Sequence, residues 1–250
     1  MNRFNESKNN SKEKSEMANK KKIEERLAAE RRVRQARYIQ IGGVAVALLV
    51  IVLGFWLFWP KKESTPIASS SAACEPFADI PVATQYEAPA MAIDTAKQYF
   101  ATAKMANGGE FVIQLYPDKA PITVNSFVFL ACKGFFNGLT FHRVIEGFMA
   151  QGGDPTGTGA GGPGYEFVNE ANDLTFDKAG VVAMANSGPN TNGSQFFIMF
   201  GPYGLSENDY TIFGQVVSGM DVVNGITRRD PQQNPTFEGD TMESVTITEQ

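Results

Sequence analysis

The feature that most limits what this chain can fold into is an unbroken apolar run, Ile39–Trp59, whose 21 residues carry no charge and a single polar side chain, Gln40. At 1.5 Å per residue, a helix over that run reaches roughly 31 Å, close to the hydrocarbon thickness of a bilayer, about 30 Å. Tyr38 at one end and Trp56 and Trp59 at the other suit the aromatic belts at the two membrane interfaces. A cleaved signal peptide is the competing reading, but its apolar core is usually shorter, and here 38 residues come first. The run is therefore read as a single transmembrane helix over residues 39–59.

Charge sets its orientation. Residues 1–38 hold 12 of the 22 Lys and Arg but only six of the 27 Asp and Glu. Eight of those basic residues lie between Lys20 and Arg37, whereas Lys61 and Lys62 alone flank the far side. Positive flanks stay in the cytoplasm, so the N-terminus is expected there and the rest of the chain outside, a single-pass protein of the cell membrane. The tail 1–38 reads either as a solvated topogenic segment or as a short helix on anionic lipid. Beyond residue 38 acidic groups are in excess, which argues against a nucleic-acid partner.

Residues 60–93 are rich in Pro, Ala and Ser, and Pro60, Pro66, Pro76, Pro81 and Pro89 interrupt any regular element, so a flexible tether is expected. Two cysteines and one histidine, His142, make neither a disulfide framework nor a zinc site, and no metal is expected. Whether Cys74 and Cys132 pair is left open by their spacing.

Residues 94–250 form the remaining domain. Lys97–Lys104 and Glu110–Tyr116 are strand-like and are joined across Asn107-Gly108, a hairpin signal. Pro121 opens an apolar stretch at helical spacing that runs to Cys132 and stops at Gly134. Short strands are predicted at 140–144, 148–151, 181–185, 195–200, 211–216 and 244–248, with a second helix over 220–227. The pattern predicts a mainly β fold: an eight-stranded antiparallel closed β-barrel capped by two α-helices.

Two chemistries fall away. Gly157 to Gly162 formally satisfies G-x-G-x-x-G, yet Gly152-Gly153-Asp154-Pro155 precedes it and Pro163-Gly164 follows, so the strand and helix that a dinucleotide site needs are missing. A hydrolytic triad would need His142 beside a serine and a carboxylate, and no G-x-S-x-G elbow exists. A lone histidine on a strand is more simply a packed side chain that donates one hydrogen bond.

Phe141-His142-Arg143-Val144-Ile145-Glu146-Gly147-Phe148-Met149-Ala150-Gln151-Gly152-Gly153-Asp154 resembles the central signature of the cyclophilins. Met184-Ala185-Asn186-Ser187-Gly188-Pro189-Asn190-Thr191-Asn192-Gly193-Ser194-Gln195-Phe196-Phe197-Ile198 resembles their second signature. The likeness runs from about Thr95 to Thr248 and is similar to bacterial cyclophilins. It implies a peptidyl-prolyl cis/trans isomerase, acting on proline-containing polypeptides without a cofactor. Carried over by position, Arg143, Phe148, Gln151 and Asn186 are implied as catalytic, and Met149, Ala185, Ser187, Gln195, Phe197, Leu205 and Tyr210 as substrate-binding.

Two departures stand out. Tyr210 lies where many relatives have His, with one extra residue after Leu205, and no Trp precedes Leu205 at the rim. They imply weak binding of cyclosporin, the family's inhibitor, and leave a weakly active proline-peptide-binding module or chaperone of the same fold as the alternative.

Overall fold

The computed structural model describes residues 71–250; the tail 1–38, the expected span 39–59 and the first part of the tether lie outside the described residues. No helix among the described residues is long and apolar enough to cross a membrane.

The Asn107-Gly108 turn does what its sequence predicts. Gly108 takes a left-handed φ of 88°, and Asn107 Oδ1 accepts from the Gly109 amide at 2.9 Å. Strands β1 (Tyr99–Met105) and β2 (Glu110–Leu115) close on it in antiparallel register, from Tyr99 opposite Leu115 to Lys104 opposite Glu110. Six more strands follow: β3 (Arg143–Ile145), β4 (Met149–Gly152), β5 (Val181–Met184), β6 (Phe196–Met199), β7 (Ile212–Ser218) and β8 (Met242–Glu249). All pair antiparallel in one sheet, ordered β3-β4-β6-β5-β7-β2-β1-β8.

The closed barrel is corrected to a curled half-barrel, because β3 and β8 end the sheet as two edges that share no ladder. Strand β3 is only three residues long, and the chain ahead of it leaves strand geometry. The gap is bridged by backbone bonds between the segment before β3 and the start of β8: Gly138 to Met242 at 2.8 Å, Met242 to Leu139 at 2.9 Å and Phe141 to Asp240 at 2.9 Å. The free edge of β3 is covered instead by Arg229, which exchanges two backbone bonds with Val144.

Register sorts side chains onto two faces. Val144, Ala150, Phe196, Ile198, Val182 and Phe213 point into the curl and join one large buried core. Their neighbours Met149, Phe197, Met199, Val181, Ala183 and Ile212 point outward and make a second, separate apolar cluster with Phe176. Strands β5 and β6 are consequently buried at every position.

The tether is also corrected from residue 71 onward. A one-turn helix, α1 (Ser71–Cys74), lies in a strap, residues 71–93, packed against the longer helix α2 (Pro121–Cys132). Cys74 and Cys132 form a disulfide, with their Cα atoms 5.3 Å apart. Phe77 packs on Phe129 at 5.4 Å between ring centroids, and Tyr86 meets the same ring edge-on at 5.0 Å. Farther along, Asn125 Oδ1 accepts from the amides of Ala92 and Ile93.

The strap explains why α2 has no polar face: all nine residues from Thr123 to Ala131 are buried. Its N-terminal amides are capped from afar, as Ile122 and Thr123 donate to the Glu170 carboxylate at 2.9 and 2.8 Å. The second predicted helix is shorter than expected, α3 (Met220–Asn224), and ends at Gly225.

Candidate active site

One row of the sheet assembles the centre. Arg143 on β3 lies opposite Gln151 on β4, Gln151 opposite Phe197 on β6, and Phe197 opposite Ala183 on β5. Period-2 alternation turns all four outward, so a cation, an amide and an aromatic ring converge on the outer apolar cluster.

Arg143 is half-buried. Its Nη1 donates to Gln151 Oε1 at 3.3 Å and approaches Met149 Sδ at 3.9 Å, and the guanidinium carbon sits 5.8 Å from the Phe148 ring centroid. Among the described residues it makes no ion pair with a carboxylate, so its charge remains available to a ligand. Gln151 Nε2 in turn donates to Gln195 Oε1 at 2.9 Å, and Gln195 Nε2 donates to the carbonyls of Gly159 and Gly161. This chain of amides holds the arginine's fork and ties it to the glycine-rich loop.

Beside the guanidinium lies an apolar recess. Met149 and Phe197 form its buried floor, and Phe148, Ala185, Leu205 and Tyr210 are half-buried around it. Tyr210 meets Phe197 edge-on at 5.6 Å, and Phe176 stacks on Phe197 at 6.0 Å while meeting Tyr210 edge-on at 6.4 Å. Next to the recess, a groove of about 660 Å³ is lined by Gln151, Ala185, Asn186, Ser187 and Gln195 together with the loop 159–166.

Each residue implied by the sequence therefore reaches the recess or the groove, with one change of part. Asn186 is implied as catalytic, but its Nδ2 donates to the Asp209 carbonyl at 2.8 Å and its Oδ1 accepts from Gly188. The side chain thus fastens the rim segment carrying Tyr210. Ser187 is exposed, and its amide is spent on Thr191 Oγ1.

Three neighbours are absent from the residues that the resemblance implies. Phe176 comes from a loop with no periodicity, Tyr203 stacks on Phe148 at 4.3 Å from the rim, and Gln85 lines the groove from the strap. Only Tyr203 left a trace, as an aromatic residue close to where relatives carry Trp.

His142 is corrected as well. It is 3% exposed, as a packed residue should be, but neither ring nitrogen has a hydrogen-bond partner within the protein. Burial lowers its pKa, the Asp154 carboxylate opposes that, and Arg229 and Arg143 add to it. Burial alone would raise the Asp154 pKa, but donors from Thr156, Gly161 and Gly159 outweigh it and hold the carboxyl below its ordinary value. The Asp154 carboxylate braces the loop, accepting from the Thr156 amide and hydroxyl at 2.7 and 2.8 Å and from the Gly159 amide. Among the described residues no cluster of side chains is arranged to hold a metal.

A family model described as cyclophilin type peptidyl-prolyl cis-trans isomerase/CLD matches residues 100–249. The chain is 47% identical over 133 residues to peptidyl-prolyl cis-trans isomerase-like 1 of Mus musculus and of Homo sapiens, covering 51% of this chain and 80% of each relative. A peptidyl-prolyl cis-trans isomerase of Schizosaccharomyces pombe is likewise 47% identical over 133 residues, across 86% of its length. Among solved structures, a cyclophilin type peptidyl-prolyl cis-trans isomerase of Cryptosporidium parvum gives a TM-score of 0.54 at 30% identity, covering 60% of this chain and 97% of that one. These relatives are eukaryotic, so the expected likeness to bacterial cyclophilins draws no support from them. The family match begins at residue 100 and says nothing about the apolar run.

Proposed function

As the chain belongs to the cyclophilin-type peptidyl-prolyl cis-trans isomerase family, we propose that its domain rotates Xaa-Pro bonds in exported or membrane-proximal polypeptides and so assists their folding. The observation that carries this reading is a half-buried arginine that, among the described residues, has no carboxylate partner and lies beside an apolar cluster with a half-buried rim.

Rotation about an Xaa-Pro bond breaks no covalent bond. Its barrier of about 18–20 kcal/mol reflects the partial double-bond character of the amide. A site accelerates both directions if it binds the twisted amide more tightly than either planar isomer. Met149, Phe197, Phe148, Leu205 and Tyr210 seat the pyrrolidine ring by apolar contact. Arg143 donates to the prolyl nitrogen, whose lone pair localises once resonance is lost. Gln151 keeps the guanidinium in place, so little reorganisation accompanies that bond. Bringing a process of roughly 100 s to milliseconds takes a factor of about 10⁵, or about 7 kcal/mol. The Cryptosporidium parvum relative has also been solved in the presence of the dipeptide Ala-Pro, the smallest ligand such a recess would take.

Membrane attachment rests on the run Ile39–Trp59 and on the basic flank before it. A disulfide between Cys74 and Cys132 agrees with an exported domain, because such bonds persist in oxidising compartments. Protease added to intact cells or spheroplasts should release the domain, and protection until lysis would reverse this topology.

The enzymatic reading is tested by Arg143→Ala in the full chain, which should lower kcat/KM at least tenfold, about 1.4 kcal/mol of transition-state stabilisation, with the circular dichroism unchanged. Near-wild-type turnover would remove the mechanism. Tight binding of proline peptides by the wild-type chain without turnover would favour a binding module instead.

A further inference from the structure

The strap enters the site as well as covering α2. Gln85 Nε2 donates to the Gly162 carbonyl at 3.1 Å, and the Tyr86 amide donates to the Pro163 carbonyl at 2.6 Å. The contact is close enough to dictate sequence. Gly164 takes a φ of 101°, and a Cβ there would lie 2.8 Å from the Tyr86 carbonyl oxygen. The other side of the same loop is held by Gln195, which reaches Arg143 through Gln151. One loop is thus gripped between the strap and the side chains that brace the arginine.

The strap is fixed at its far end by the Cys74–Cys132 bond, by Lys133 Nζ donating to the Phe77 carbonyl, and by Tyr86 packed on Phe129 and Phe135. Gln85 is therefore held in the groove wall by covalent and packing constraints outside the groove. Its amide nitrogen also donates to the Thr84 carbonyl, which leaves its oxygen as the group it can offer a ligand. Glu166 is the one charged side chain in the lining, since Tyr165, its pKa pushed up to about 12 by burial, stays neutral. The lining thus carries a negative charge and no cation, Arg143 standing behind Gln151 rather than in the wall.

We infer that Gln85 is a specificity-determining residue, and that the disulfide-fastened strap makes the groove prefer polypeptides with a basic side chain a few residues from the Xaa-Pro bond. The inference rests on the isomerase reading above. A lysine or arginine there donates to Gln85 Oε1 and approaches Glu166, whereas a carboxylate meets the like charge of Glu166.

The test compares kcat and KM of the full chain on matched peptides with Lys or Glu ahead of Xaa-Pro, and on a capped Xaa-Pro peptide too short to reach the groove. Wild-type protein should prefer Lys over Glu by about three- to tenfold, chiefly in KM. Gln85→Ala should reduce that preference at least twofold and weaken the Lys peptide more than the short one. Glu166→Gln should also reduce it. Paired Cys74→Ser and Cys132→Ser changes should act in the same direction as Gln85→Ala. If that double variant fails to fold, Gln85→Ala, which keeps the disulfide, decides alone. An equal effect of Gln85→Ala on all three peptides, or no Lys preference in wild type, overturns the inference. Absence of turnover on the short peptide by wild type would instead strike the isomerase reading.

Discussion

Phe196 and Phe197 are consecutive residues of one strand with opposite roles. Phe196 points into the curl, where it meets Phe127, Phe136 and Phe141 at 5.5, 5.8 and 6.2 Å between ring centroids. Phe197 points outward to Phe176 and Tyr210, in a cluster whose rim of Phe148, Leu205 and Tyr210 is only half-buried. One face is sealed on every side by other rings. The other is left with a half-buried rim, where the proposed function seats the proline ring. Pleat geometry alone decides which of the two residues faces which cluster.

Truncating each ring is the most direct way to break that contrast. Phe196→Ala should cost about 3–5 kcal/mol of stability, because a cavity among packed rings cannot collapse. The fraction that stays folded should keep kcat/KM within about threefold of wild type. Phe197→Ala should cost less stability, since its cluster opens toward the groove, but should lower kcat/KM by tenfold or more. Denaturant titration paired with isomerisation kinetics reads both. Equal losses of activity per folded molecule would mean that the outer cluster is only a second core.

The rim offers a smaller effect that sharpens the comparison. Relatives with Trp at the rim present an aromatic face and an N–H donor in one rigid side chain, a frequent binding hot spot. Here Tyr203 stacks on Phe148 and carries no indole N–H, while a Cβ at Gly204 would meet nothing within 4 Å. Cyclosporin should therefore bind about 30- to 150-fold more weakly than to Trp-bearing relatives, roughly 2–3 kcal/mol. Gly204→Trp should recover part of that in an inhibitor titration. Tight binding by the unaltered chain would show that Tyr203 already completes the outer cluster.

Legibility in the sequence followed the same division. Helix α2 was readable to the residue, because Pro121 and Gly134 punctuate it and its apolar spacing is local. The recess was readable because Arg143, Phe148, Met149, Gln151 and Phe197 sit in two long signatures that resemble a known family. The strap was not. Phe77, Tyr86 and Ile93 are isolated among Pro and Ala, and their burial depends on α2, more than thirty residues downstream along the chain. Barrel closure was also hidden, since it turns on whether two distant edges meet. Phe176 and Gln85 reach the site from segments with no periodicity, and contacts of that kind leave no local mark.

The smallest expected effect concerns His142, the chain's one histidine, which is buried beside Gly159 of the glycine-rich loop. Burial holds its pKa below the ordinary value of about 6.5, with Arg229 and Arg143 adding to the shift and Asp154 opposing it. The sign follows from linkage. Above the unfolded value both states carry a neutral ring, and stability does not depend on it. As pH falls below about 6.5 the unfolded chain takes up a proton that the folded chain resists, so the folded state loses stability until pH passes the lowered native value. Carboxylates such as Asp154 titrate below this window, and Lys97 and Lys119, raised by Glu249 and Asp173, titrate above it. The denaturation midpoint should therefore decline between pH 7 and pH 5, and His142→Leu should flatten that decline. Because neither ring nitrogen bonds a side chain of the site, kcat/KM on the short peptide should keep the same pH profile in both proteins. A wild-type midpoint that rises on acidification would mean that Asp154 outweighs burial and holds the ring charged.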